Sequence, residues 1–181
     1  MNKIENINIL LLGNTGVGKS TLINCILELK NNKAEEGHTV KPMNLESWKK
    51  YPYNSEDTDI KGIQLWDSRG IESNDIEQNN ENVKKIIEEN KNYLDKQIHC
   101  IWFCIHKNKF DEGEKNYINN LLEVYNTKEK IPIIFIFTKA YNIYNETIEE
   151  IEKELKEIKY FKEKKKIISF YRSCCKGKGS Y

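Results

Sequence analysis

One eight-residue stretch near the amino end of the chain carries the residue types that bind a polyphosphate. Residues 13–20 read GNTGVGKS and match the pattern G-x-x-x-x-G-K-[ST] at every fixed position. Glycines let a backbone wrap around phosphates and turn its N–H groups inward. The lysine brings a charge to the β and γ phosphates, and the hydroxyl residue offers an oxygen to Mg²⁺. The pattern predicts nucleotide contacts from Asn14, Thr15, Gly16, Val17, Gly18, Lys19, Ser20 and Thr21.

The sequence on either side supplies the elements that must position this loop. Residues 7–12 form a short apolar run, which is typical of a buried parallel strand. After Ser20, apolar residues recur at helical spacing to about residue 29. The amino terminus of that helix adds positive potential beside a bound phosphate. Strand, glycine loop and helix therefore follow one another in the order that phosphate binding requires.

The rest of the chain alternates apolar runs with amphipathic segments. The runs predict strands at 45–53, 60–67, 98–105, 131–137 and 167–171, and helical spacing predicts helices at 81–96, 112–125 and 146–161. The polar residues 71–80 are predicted to form a loop. This alternation predicts an α/β fold, a mostly parallel sheet with helices on both faces. Right-handed crossovers then place the phosphate loop at the carboxyl edge of the strands.

Bulk properties limit the classes of function. The 181 residues predict one domain over 1–181, long enough to bury roughly 70% of the surface of the unfolded chain. With a net charge of +1, a nucleic-acid partner is not expected. No apolar run is long enough to cross a bilayer and no secretory signal precedes the first strand, so we expect a cytoplasmic location. No spacing among the five cysteines suits a zinc site, and their odd number argues against a disulfide framework, so we expect reduced thiols.

A second motif follows the predicted strand at 60–67. Asp67 closes that strand, and Gly70 lies three positions later. A carboxylate at a strand end suits a Mg²⁺ ligand acting through water, and the Gly70 N–H is placed to approach a γ-phosphate. Alone, D-x-x-G is a common turn pattern. Its position downstream of a phosphate loop makes the functional interpretation stronger.

These motifs resemble those of the P-loop GTPase domain of the TRAFAC class, with its Ras-like fold, and of its septin-, Era- and IMAP-like branch. The resemblance covers nearly the whole chain and implies a three-layer G domain that binds GTP or GDP with Mg²⁺. It implies Ser20, Thr39 and Asp67 as metal ligands, and Lys19, Thr39 and Gly70 as catalytic groups. His38, beside Thr39, is a further candidate for approaching the γ-phosphate; a solvated loop histidine is the alternative.

The base-reading motif departs from the family pattern. The family has Asn/Thr-Lys-x-Asp, and this chain has Thr138-Lys139-Ala140-Tyr141. The family's aspartate accepts two hydrogen bonds from the guanine edge, so Tyr141 leaves the strictness of guanine recognition open. The stem of Lys139 still suits stacking along a base. Ser173 and Cys174 stand where the family has Ser-Ala, and the resemblance implies that they contact the base.

Hydrolysis is affected by a second departure. Ile71 follows Gly70, where Ras-like members carry the glutamine that orients the attacking water. The resemblance therefore implies a GTP-binding switch with slow hydrolysis, assisted by a homodimer or an activating partner. One alternative is a P-loop kinase or ATPase, which the scarcity of arginine (Arg69 and Arg172 alone) disfavours. The other is a nucleotide-binding scaffold that acts through oligomers without turnover.

The end of the chain raises two further expectations. Family members close the domain with a long helix after the last strand, whereas residues 173–181 are short and glycine-containing and cannot form one. We expect either that the chain is part of a longer protein that supplies the helix, or that a partner or second copy covers that sheet face. Lys162 and Lys164–Lys166 form a basic run. A solvated helix end is the main interpretation of this run, and peripheral contact with anionic lipid is the alternative.

Overall fold

Strands and helices alternate around one central sheet. The computed structural model describes residues 6–26, 49–53, 62–67, 76–93, 96–106, 110–124, 131–139, 145–158 and 169–172. The strands in these ranges are β1 (Asn6–Leu12), β2 (Lys49–Tyr53), β3 (Gly62–Asp67), β4 (Ile98–His106), β5 (Ile133–Thr138) and β6 (Ser169–Arg172). The helices are α1 (Lys19–Ile26), α2 (Ile76–Asn90), α3 (Glu112–Val124) and α4 (Asn145–Glu157).

The strand order is β2-β3-β1-β4-β5-β6, which places β1 in the middle of the sheet. Strand β2 pairs antiparallel with β3 at one edge, and all other neighbours are parallel. The register aligns Leu11 of β1 with Asp67 of β3 and with Trp102 of β4. The predicted α/β fold with a mostly parallel sheet is therefore confirmed, and the carboxyl ends of β1 and β3 lie side by side.

Each face of the sheet has its own apolar core, because side chains alternate along a strand. In β1, Ile9 and Leu11 join the cluster that contains Leu22 and Ile23 of α1. The cluster on the opposite face contains Leu10 and Leu12 together with the buried stripes of α2, α3 and α4. The predicted helical cover on both faces is confirmed. It fixes β1, and so the start of the loop that follows it, from above and below.

Helix α2 differs from its predicted boundaries. It begins at Ile76 and ends at Asn90, so the predicted loop over 71–80 is wrong for residues 76–80, and the predicted helix over 81–96 ends too late. Its first turns bury Asn79 and Asn80, polar side chains that a search for apolar periodicity overlooks. At its end, Asn90 Nδ2 donates to the carbonyl of Ile86 at 2.7 Å, which caps the last turn.

The other predicted boundaries that fall within the described residues agree within a few residues. Strand β5 begins after Pro132, which lacks an N–H; the Pro132 carbonyl instead accepts from the Ile101 N–H at 2.9 Å. Of the predicted strand 45–53, residues 49–53 form β2, and 45–48 lie outside the described residues.

The cysteines differ in state. Cys100 and Cys104 are free thiols, and burial raises the pKa of Cys104 to about 12. Cys25 is disulfide-bonded, so the expectation of reduced thiols is wrong for this residue. Within the described ranges, no helix is long and apolar enough to span a membrane.

The face that carries α1 keeps some apolar side chains partly exposed. These side chains are Ile7, Ile63, Cys100, Trp102 and Ile134, from four neighbouring strands. Residues 173–181 lie outside the described part of the chain. The expectation that another segment, a partner or a second copy covers this face therefore stays a prediction.

Candidate nucleotide-binding site

The predicted phosphate loop joins the end of β1 to the start of α1. Gly13, Gly16 and Gly18 have φ angles of 138°, 73° and 110°, which favour glycine. At Gly13 a side chain is also excluded by space, because a Cβ there would lie 2.5 Å from the carbonyl oxygen of Cys104 in β4. The first turn of the loop thus packs directly against the neighbouring strand.

Lys19 is the first residue of α1, and its side chain turns back along the loop. Its Nζ donates to the carbonyls of Gly13 at 2.8 Å and Asn14 at 3.1 Å, and the residue is only 6% exposed. Burial lowers the pKa of Lys19 from its ordinary value, while the nearby Asp67 and Cys104 act in the opposite direction. A partly desolvated ammonium, already oriented by the loop, is suited to bind phosphate oxygens.

A hydroxyl and a carboxylate meet next to this ammonium. Ser20 Oγ donates to Asp67 Oδ2 at 3.2 Å, bringing the end of β3 to the first turn of α1. Oxygen ligands of this kind suit Mg²⁺, which takes one or two carboxylates and completes its shell with phosphate oxygens and water. The donor set therefore fits Mg²⁺. Within the described ranges, no group of three or more His, Cys, Asp or Glu side chains suited to a metal occurs.

The second half of the loop is held from β5. Thr138 is 2% exposed, and its Oγ1 lies close to the carbonyl oxygen of Val17 and 3.2 Å from that of Ile105. With a single proton, the hydroxyl donates to the nearer acceptor, Val17. This hydrogen bond ties the start of the base-reading motif to the phosphate loop.

Lys139 follows Thr138 and makes a parallel contact. Its Nζ donates to the Gly16 carbonyl at 2.9 Å, and the residue is exposed. Its φ of 52° lies in the left-handed region, which costs a residue other than glycine about 1–3 kcal/mol and often marks functional sites. The extended stem of Lys139 therefore crosses from β5 to the loop, at the side where the resemblance places the base.

A contact that the sequence did not indicate holds the first half of the loop. Asn14 Nδ2 donates to Glu114 Oε1 at 2.9 Å, across 100 positions of sequence. The spacing Asp111-x-x-Glu114 signals a helix start. Nothing in it pairs Glu114 with Asn14, because the pairing depends on how α3 packs beside β1.

The predicted site residues within the described ranges come together at the carboxyl ends of β1, β3 and β5. They are Asn14, Thr15, Gly16, Val17, Gly18, Lys19, Ser20, Thr21, Asp67, Thr138 and Lys139. Five further predicted residues lie outside those ranges, namely His38, Thr39, Gly70, Ser173 and Cys174. The contacts of every one of these residues with a ligand stay predictions.

The sequence profile of one protein family, described as 50S ribosome-binding GTPase, matches residues 8–139 of the chain. The chain belongs to this GTPase family. The match runs from within β1 to Lys139, so it includes the phosphate loop, Asp67 and the first two residues of the base-reading motif, Thr138 and Lys139. Among curated proteins, no sequence matches this chain.

Solved structures agree on the fold. The septin GTPase domain from Chlamydomonas reinhardtii is 18% identical with a TM-score of 0.58, covering 83% of this chain and 58% of its own. A dimerisation-deficient variant of Toc33 from Arabidopsis thaliana is 16% identical with a TM-score of 0.61, covering 97% and 73%. Era, bound to MgGDPNP and a segment of 16S ribosomal RNA, is 19% identical with a TM-score of 0.57, covering 93% and 51%. The expected Ras-like G-domain fold is confirmed, and the chain spans between about half and three quarters of these neighbours.

Proposed function

We propose that this GTP-binding protein takes up GTP or GDP with Mg²⁺ and hydrolyses GTP slowly, as a conformational switch. One observation carries the proposal: the buried Lys19 ammonium is held by two loop carbonyls beside the Ser20–Asp67 pair. Family membership supports nucleotide binding. The metal, the slow rate and the switch are inferred from the residues.

The chain's own groups account for charge stabilisation. The loop N–H groups and the α1 amino terminus face anionic oxygens, and Lys19 neutralises charge that spreads over the transferred phosphoryl group. The Ser20–Asp67 pair supports these two residues as the ones that would hold Mg²⁺, and the bound metal would neutralise charge on the β and γ phosphates. Thr39, from the resemblance, is the third expected ligand.

The residue at the position that orients the attacking water differs from that of Ras-like members. Ile71 offers no hydrogen bond where Ras-like members use glutamine, so the chain alone orients the water poorly. A group from a second copy or an activating protein would supply the missing contact. We therefore expect the chain alone to hydrolyse GTP slowly, and the rate to rise when the chain associates with a second copy or an activating protein.

Single-turnover hydrolysis tests the proposal. Phosphate release from bound GTP is followed at several protein concentrations with Mg²⁺ present, and Lys19→Ala serves as the control for contaminating activity. We expect a dilute-protein rate on the order of 10⁻⁴ to 10⁻³ s⁻¹, rising with protein concentration. Binding without phosphate release at any concentration would favour the scaffold alternative. A fast rate independent of concentration would contradict the role given to Ile71, and His38→Ala would then be the next variant.

A further inference from the structure

The first turn of α3 presents a buried acid to the phosphate loop. Asp111 Oδ1 accepts from the Glu114 N–H at 3.0 Å, which caps the helix at its amino terminus. In a capping box the acid at the Glu114 position reaches back to the capping residue. Glu114 is only 1% exposed, and its side chain accepts a hydrogen bond from Asn14 of the phosphate loop. The positive potential of the helix terminus offsets part of the cost of burying this carboxylate.

The hydrogen bond to Asn14 is of the strong kind. Its acceptor is a carboxylate, its length is 2.9 Å, and it is partly buried. It joins α3 to the loop residue directly after Gly13. A buried acid aimed at an amide side chain fixes that side chain in one orientation.

Asn14 in turn fixes Lys19. The Asn14 carbonyl accepts from the Val17 N–H at 3.2 Å and from Lys19 Nζ at 3.1 Å. Asn14 therefore contacts the Glu114 carboxylate through its side chain and the Lys19 ammonium through its backbone carbonyl. A change in the backbone conformation of Asn14 would move one of the two carbonyls that orient the Lys19 ammonium.

The two halves of the loop depend on different elements. Thr138 and Lys139 bind the carbonyls of Val17 and Gly16, so β5 holds the second half. Glu114 holds the first half from α3. Loss of the Glu114 contact leaves the β5 contacts in place and releases only the part of the loop that orients Lys19.

We propose that Glu114 is a positioning residue for nucleotide binding, acting through Asn14 on the ammonium of Lys19. This role rests on the proposed nucleotide-binding function. It adds α3 to the elements that position the nucleotide-binding residues. Glu114 itself touches neither phosphate nor metal in this account. Its effect is on the geometry of the group that does.

Four variants test the role. Glu114→Ala removes the acceptor, Asn14→Ala removes the donor, the double variant removes both, and Glu114→Gln keeps an acceptor oxygen of the same reach. Lys115→Ala is the matched control on the same helix turn, because Lys115 pairs with Glu112 at 2.8 Å and Glu154 at 2.9 Å, away from the loop. Fluorescent GDP with Mg²⁺ measures affinity. Hydrogen exchange of the Val17 amide, measured in nucleotide-free protein, reports directly whether the Val17 N–H stays bonded to the Asn14 carbonyl.

We expect Glu114→Ala and Asn14→Ala each to weaken GDP affinity by roughly tenfold, the double variant to lose no more than either, and Glu114→Gln and Lys115→Ala to stay within about threefold of wild type. Exchange at Val17 should rise in both alanine variants and return to the wild-type rate in Glu114→Gln. If Glu114→Ala does not fold, Asn14→Ala at its loop position carries the same expectation.

Unchanged affinity in Asn14→Ala and Glu114→Ala, or losses that multiply in the double variant, would overturn the positioning role. Failure of the wild type to bind any nucleotide would instead refute the proposed function. The Val17 exchange rates separate the two failures, because they are measured without nucleotide. A rate that is the same in wild type and Glu114→Ala would show that the carboxylate does not hold the loop.

Discussion

At the phosphate end of the site, Lys19 is 6% exposed and bonded to two carbonyls, whereas at the base end Lys139 is exposed and bonded to one. The phosphate end matches its motif at every fixed position. The base end carries Tyr141 where the family has the aspartate that reads guanine. Both ends share one loop, since Thr138 and Lys139 hold its second half.

The difference separates two properties that a nucleotide site usually combines. The phosphates and their Mg²⁺ are common to all nucleoside triphosphates. Of the residues predicted to bind them here, Lys19 is held by two loop carbonyls and Ser20 is bonded to Asp67. The base-reading motif contains the exposed Lys139, and its aspartate is replaced by Tyr141. Affinity and base preference should therefore respond to different substitutions.

The largest expected effect is at Lys19. Lys19→Ala removes the charge predicted to bind phosphate and should weaken the affinity for GTP by at least ~100-fold. Hydrogen bonds to charged groups contribute about 1.5–3 kcal/mol each. Lys139→Ala is the matched control, because Lys139 is an exposed lysine that follows β5 and donates to the Gly16 carbonyl of the same loop, and the expected loss is about tenfold or less. Titration with fluorescent GTP measures both.

Ser20→Asn belongs to the same comparison. It should remove the Mg²⁺-dependent part of the affinity and leave binding in EDTA unchanged. Equal losses in Lys19→Ala and Lys139→Ala would show that burial does not distinguish the two ends.

Substitutions at two glycines test whether the phosphate loop packs as closely against β4 as its contacts indicate. Gly13→Ala places a methyl group 2.5 Å from the Cys104 carbonyl and at a φ of 138°, so the free energy of unfolding should fall by about 2–4 kcal/mol. Gly113→Ala in α3 meets only Asp111 Oδ1, at 3.2 Å, and should change it by less than about 1 kcal/mol. Denaturant unfolding without nucleotide measures the pair. Similar values for the two variants would contradict close packing of the loop on β4.

The base end is tested by restoring the family residue. Tyr141→Asp should sharpen the preference for GTP over ATP by about 2–4 kcal/mol, the value of a bidentate charged contact. Affinity for the triphosphate common to both nucleotides should change little. Competition binding measures the ratio, and Tyr141→Asn serves as a control without the charge. No change in the ratio would place base recognition elsewhere.

The smallest expected effect lies at the opposite end of the sheet. His99 Nδ1 accepts from the Asn8 N–H at 3.0 Å, and burial lowers the pKa of His99 below its ordinary 6.5. The folded state therefore favours neutral His99, so stability should fall as the pH drops below 6.5. His99→Asn keeps an acceptor and does not titrate. Unfolding curves at pH 7.5 and 5.5 should differ less for this variant than for wild type, and identical differences would exclude His99 as a cause.

The sequence predicts best what is local. The phosphate loop, its strand and its helix follow from adjacent residues whose conformations glycine and apolar spacing determine. Buried Asn79 and Asn80 hid the start of α2, because polar side chains inside a helix face carry no apolar period. The Glu114–Asn14 contact depends on tertiary packing between segments 100 positions apart, and no single-sequence pattern reports it.

We propose that this chain binds phosphate through fixed, buried groups and discriminates only weakly between guanine and adenine. Competition of GTP, GDP, ATP and ADP against a fluorescent guanine nucleotide, with Mg²⁺ present, measures both properties. We expect GTP and GDP to displace the probe at lower concentrations than ATP and ADP, with a preference well below the ~10⁵-fold of a site that discriminates by buried polar groups. A preference of ~10⁵-fold in the wild type would contradict the weak reading of the base. Displacement by none of the four would contradict the nucleotide site itself.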